Sequence, residues 1–203
     1  MILRAAVISS IMLAFTSVAH AVPITFTASL DGPSESPPVE SPGTGNAVVV
    51  YDSVFHTLSV EVSFSGLVGT TTVAHIHCCV ASPGTGTIGV ATYPSTFPGF
   101  PAGVTSGTYV SPTPIDLTLT SSYTAGFLSG FGGGTAAGAE AALLAGMLNG
   151  SAYFNIHSSF KGGGEIRGFL EQRIPEPLTL TLFGAGLAGL ALIRRRRRQS
   201  ASA

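Results

Sequence analysis

The stretch His56–Phe64, HTLSVEVSF, sets Leu58, Val60, Val62 and Phe64 on one side and Ser59, Glu61 and Ser63 on the other. This alternation is the period of a half-buried β-strand, because successive side chains leave opposite faces of the pleat. Outward from it the pattern recurs. Ile24–Leu30 (ITFTASL), Asn46–Tyr51 and Thr72–His77 read as strands, and Thr87–Ala91 as a short one. Asp31–Gly45 is a Pro/Gly/Ser loop and Gly66–Thr70 a turn. Tyr93–Gly103 holds three prolines and cannot be a central strand. Ile115–Thr120 (IDLTLT) alternates again. Thr135–Leu148 is the one expected helix, with Leu143, Leu144, Met147 and Leu148 on its apolar face and Asn149-Gly150 to end it. Ser151–His157 and Glu165–Glu171 read as a closing hairpin around Lys161-Gly162-Gly163-Gly164. Strands, one short helix and a final hairpin predict an all-β fold, an antiparallel sandwich or barrel.

The composition agrees. The 203 residues include 26 Gly and 13 Pro and no Trp. Residues 22–173 are expected to form one domain, large enough to bury roughly 70% of its unfolded surface without staples. That domain holds three of the nine basic residues and nine of the ten acids, a balance of −6. An acidic surface repels phosphate backbones, which argues against nucleic acid as a partner.

The two ends carry a different message. Residues 1–21, MILRAAVISSIMLAFTSVAHA, combine a basic start, an apolar run and the small-x-small pattern Ala19-His20-Ala21. This predicts a secretory signal peptide cut before Val22, handled by the secretion machinery and signal peptidase. At the other end, Leu178–Ile193 is uncharged and apolar, about 24 Å long as a helix. That is short for a hydrocarbon core of ~30 Å. Arg194–Arg198 follow, and positive charge stays on the cytoplasmic side, so the body of the chain is expected outside. Pro175-Glu176-Pro177, the apolar transmembrane segment and the arginine cluster, in that order, resemble the PEP-CTERM sorting signal of Gram-negative bacteria, here over 174–198. The resemblance implies processing by an exosortase, a transient inner-membrane anchor, and release to the cell surface or an extracellular matrix. It makes an exopolysaccharide a candidate partner.

The middle of the chain resembles the CHRD domain, a module named after chordin. The matching stretches are ASLDGPSESPPV with Leu30, Gly32, Glu35, Pro37 and Pro38, then TTVAHIH at 71–77, YFNIHS at 153–158 and GGEIRGFL at 163–170. The family implies an immunoglobulin-like all-β fold and names no reaction.

His75 and His77 are two apart on one strand and so share a face; His157 and Asn155 share a face of another. If those strands are neighbours, three imidazoles meet, and imidazole suits copper and zinc. The competing reading has these histidines bonded to backbone groups or to Glu165. Cys78 and Cys79 are the only cysteines. Export favours oxidation to a vicinal disulfide, whose strained ring would be reducible. Thiolate ligation beside His77 and intermolecular bridges are the alternatives. Gly84–Gly89 and Gly184–Gly189 match G-x-G-x-x-G, but neither opens a βαβ unit, so neither is read as a nucleotide site. Tyr93, Phe97 and Phe100 are read as packing over one end of the sheet, with an exposed contact surface as the alternative. No catalytic constellation emerges. The leading expectation is a non-catalytic exported surface or matrix protein; the alternative is a copper- or zinc-binding or redox-responsive exported protein using the three histidines.

Overall fold

The computed structural model describes residues 22–92 and 96–174, and beyond them only the isolated positions 183, 186 and 187. The expected signal peptide, the Pro-Glu-Pro motif, the arginine cluster and Tyr93 lie outside the described residues. Among the described residues no helix is long and apolar enough to cross a membrane.

The body is mostly β. Its strands are β1 (Ile24–Asp31), β2 (Thr44–Asp52), β3 (Thr57–Ser65), β4 (Thr71–Cys78), β5 (Gly107–Val110), β6 (Ile115–Asp116), β7 (Ala152–Ser158), β8 (Ile166–Phe169) and β9 (Glu171–Gln172). All pairings are antiparallel in one sheet of order β4-β7-β8-β1-β2-β3-β5, with β6 on β3 and β9 on β1. The sheet curls. Thr71 N donates to Val104 O and Gly103 N to Thr71 O, which draws the chain before β5 against the start of β4.

The alternation in His56–Phe64 decides the inner face. Leu58, Val60, Val62 and Phe64 are buried, and they meet Phe26, Leu30, Val49, Ala74, Ile76, Phe154 and Ile156 in one core. Burying each large side chain contributes about 1.5–3 kcal/mol. Phe97 lies parallel to Phe154 at 5.6 Å and Phe100 to Phe64 at 5.7 Å. The two phenylalanines of the proline-rich loop are therefore packing residues.

Several expectations needed correction. The helix at the end of the core, α2 (Ala136–Leu148), starts at an N-cap Thr135 whose side chain accepts from Gly138 N, and it buries Ala139, Leu143 and Met147. A second helix, α1 (Ala125–Gly130), precedes it. Its sequence AGFLSG has poor helix propensity; the Thr124 cap and the buried Phe127 hold it. Residues 87–91 form no strand. Only Val90 bridges His77 there, while Ala91 N bonds Ile76 O and lays this segment along the outer edge of β4. The alternation in IDLTLT survives as strand for two residues only. Asp116 Oδ1 accepts from Thr118 N and Thr118 Oγ1, which turns the chain into a 3-10 turn at Thr120–Ser122. The strand pair β8 and β9 is one segment interrupted at Leu170, whose N–H bonds Ala152 O, while Phe169 pairs with Tyr153 of β7 and Glu171 with Thr27 of β1.

Candidate functional site

β4 and β7 are adjacent, with Val73 opposite His157, His75 opposite Asn155 and His77 opposite Tyr153. The period of two therefore carries all three histidines to the same outer face, away from Ala74, Ile76 and Phe154. Every residue of β7 is buried. Its outer face is roofed by the loops around 32–36, 84–89 and 159–165.

The imidazoles converge. His75 Nε2 lies 2.9 Å from His157 Nε2, and one ring nitrogen from each of His75, His77 and His157 falls within 4.8 Å of the others. All three residues are at least nine-tenths buried. His77 Nδ1 donates to Ile88 O at 2.7 Å and His157 Nδ1 to Gly162 O at 2.8 Å. A ring that donates through Nδ1 presents a lone pair at Nε2. Among the described residues His77 Nε2 has no hydrogen-bond partner although it is buried. Burial pushes the His77 pKa down to about 4, helped by the nearby His157 and Arg167 and opposed by the Ile88 carbonyl. Burial lowers that of His157 as well. Both rings are thus neutral at pH 7, the form that ligates metals.

The surroundings are polar and tightly built. The His77 ring lies parallel to Tyr153, 4.7 Å between centroids, and Arg167 covers Tyr153 at 4.7 Å. Arg167 is itself buried; its Nε donates to Ser34 O at 2.5 Å and its Nη1 to Gly86 O at 2.8 Å. One guanidinium thereby fastens two roof loops to the sheet. Glu35 Oε2 lies 3.7 Å from Arg167 Nε. Burial pushes the Glu35 carboxyl up to about 7, against the pull of Arg167 and the Ser36 amide. Gly164, at φ +125°, is required here: a Cβ would sit 2.6 Å from both Glu35 Oε1 and Asn155 Oδ1.

Glu165 does not serve the histidines. Its carboxylate accepts from Ser41 Oγ and Val68 N at 2.6 Å, Gly69 N at 3.2 Å, and Ser158 Oγ. It clamps the β3–β4 turn to the β7–β8 loop instead. Cys78 and Cys79 are joined in a vicinal disulfide. Cys78 alternates away from the histidine face into the core, where both sulfurs rest on Gly146 of α2. Gly84 and Gly86 stand in an open loop with positive φ and no helix behind them, which is no phosphate cradle.

Sequence reasoning missed Tyr153, Arg167 and Glu35. Tyr153 was within reach, since it shares the period-two face with Asn155 and His157. Arg167 and Glu35 depend on the β7–β8 register and on loop closure, which no local pattern encodes.

The CHRD domain family model matches residues 26–170, from within β1 to just past the end of β8. No curated protein and no solved structure matches the chain.

Proposed function

The chain belongs to the CHRD domain family, and from that premise we propose that it is a non-catalytic, exported metal-binding protein whose site is His75, His77 and His157. The observation that carries this is the convergence of three buried imidazoles, two of them held by backbone carbonyls with Nε2 turned inward. Carbonyl-fixed tautomers are the usual outer support of histidine ligands. Two nitrogens on one zinc or copper at ~2.0–2.1 Å sit roughly 3–3.4 Å apart, close to the 2.9 Å of the His75–His157 pair. Copper or zinc is the cofactor this donor set suits.

Equilibrating the purified full chain with Zn2+ or Cu2+, desalting, and counting metal by elemental analysis tests the reading. About one equivalent is expected on the wild type, and under a tenth of that on His77→Gln or His157→Gln. At a hundredfold excess over Kd, binding adds about 2.7 kcal/mol of stability, so the melting temperature should rise with metal only in the wild type. A wild type that retains no metal removes the proposal.

Export completes the reading. The signal peptide at 1–21, the Pro175-Glu176-Pro177 motif and the basic tail support delivery through the secretion machinery, a temporary membrane anchor, and exosortase-type cutting before release to the cell surface or a polysaccharide-rich matrix. Mass spectrometry of the released protein should find Val22 at the start and Arg194–Arg198 gone. A mature form that keeps the arginines excludes tail processing.

A further inference from the structure

The strand directions place several loops and both ends of the domain on one rim. Ile24 pairs with Tyr51, so Val22 lies beside the β2–β3 turn at 53–56. Arg173 N bonds Thr25 O, so the chain leaves the domain at Ile174 next to the start of β1. β6 pairs with Thr57 and Leu58, and Leu117 N bonds His56 O, so Leu119 emerges at the same rim. The large apolar side chains along it are exposed: Val22 77%, Val54 59%, Phe55 74%, Leu119 50% and Ile174 75%. The rim carboxylates are occupied. Asp52 accepts from Val54 N and Phe55 N, and Asp116 from Thr118 N. Capping the turns from within leaves Val54 and Phe55 at their tips.

The uncharged run begins at Leu178, four residue steps beyond Ile174, at most about 14 Å when extended. Large apolar side chains gathered exposed on one rim point to an interaction surface. With 178–193 read as a membrane segment, four residue steps bring the bilayer that would hold the tail within reach of this rim.

We propose that the rim formed by Val22, Val54, Phe55, Leu119 and Ile174 is a membrane-docking surface that seats the domain on the lipid interface while the tail is inserted. This rests on the reading of 178–193 as a membrane segment. Docking holds the domain upright with Ile174, where the described body ends, at the lipid interface. The opposite end, with Phe160 beside the start of β4, stands roughly 24 Å away, the length of the eight-residue β1.

The absence of tryptophan makes the test direct. The full chain is reconstituted into phosphatidylcholine vesicles with and without dibrominated acyl chains, carrying Phe55→Trp, Phe160→Trp or Phe183→Trp. Bromine should quench Phe55→Trp and Phe183→Trp by about twofold or more, with blue-shifted emission, and leave Phe160→Trp unchanged. Quenching of Phe183→Trp alone overturns the docking surface and keeps the tail. Equal quenching of Phe55→Trp and Phe160→Trp also overturns it, since no orientation is then held. A chain that does not float with vesicles overturns both readings. Val54→Trp repeats the measurement should Phe55→Trp not fold.

Discussion

Replacing Glu165 by Ala should lower stability by about 3–5 kcal/mol, because a fully buried carboxylate with four donors is removed and the donors stay buried. For a domain of this size that is a fall in melting temperature of roughly 10 °C or more. The effect is structural: Val68 N and Gly69 N have no helix or ladder to turn to, and among the described residues the hydrogen bonds that pin the β3–β4 turn to the β7–β8 loop are those of this side chain and of Thr70 with Ser159. The pH dependence follows from the same bonds. Burial raises the Glu165 pKa, but the hydroxyls of Ser158 and Ser41 and the amides of Val68 and Gly69 together hold it below the ordinary value. A depressed folded pKa gives stability that is present above the ordinary value near 4.5 and is lost as pH falls through the folded one. Urea melts of the wild type between pH 3 and 7 should therefore show an acid-side loss that is shallower in Glu165→Gln. An identical slope in that variant assigns the loss to other carboxylates.

Gly146→Ala should also destabilise the protein, although alanine is the better helix former by about 1 kcal/mol. The added Cβ would lie 2.6 Å from Cys79 Sγ and closer still to Cys78 Sγ. The sulfurs belong to two consecutive residues at the end of β4 and cannot both swing aside, so α2 has to move off the core. Overpacking of this kind costs about 1–3 kcal/mol beyond the propensity gain it cancels. A double-mutant cycle reads the contact directly: in a Cys78→Ala/Cys79→Ala background, Gly146→Ala should be neutral or stabilising, with a coupling of about 2 kcal/mol or more. Equal small effects in both backgrounds would show that the sulfurs do not rest on Gly146.

The same geometry separates two sides of β4. His75 and His77 face the roofed outer surface, and Cys78 the core. Thiolate ligation beside His77 is therefore disfavoured by the strand's own alternation, since a Cys78 sulfur would have to cross the sheet.

Local alternation was enough for the strands that pack on both sides of a register. His56–Phe64 and Ile24–Leu30 each have one buried face, and a strand with one buried face declares it every second residue, whereas Thr72–His77 is buried on both sides from Ala74 onward and was found by its β-rich run alone. The same rule put His75 with His77 and His157 with Asn155. It failed where side-chain hydrogen bonds compete with the ladder: Asp116 turned an alternating segment into a loop, and a threonine cap made a helix of AGFLSG. The meeting of the three histidines was conditional in the sequence, because residues 82 positions apart share a face only if β4 and β7 pair. That pairing, the carbonyls of Ile88 and Gly162 that turn the Nε2 atoms inward, and the Arg167 bridge between loops are long-range facts. They follow from how the curled sheet closes and from which backbone groups are left over when it does, and only the tertiary structure decided them.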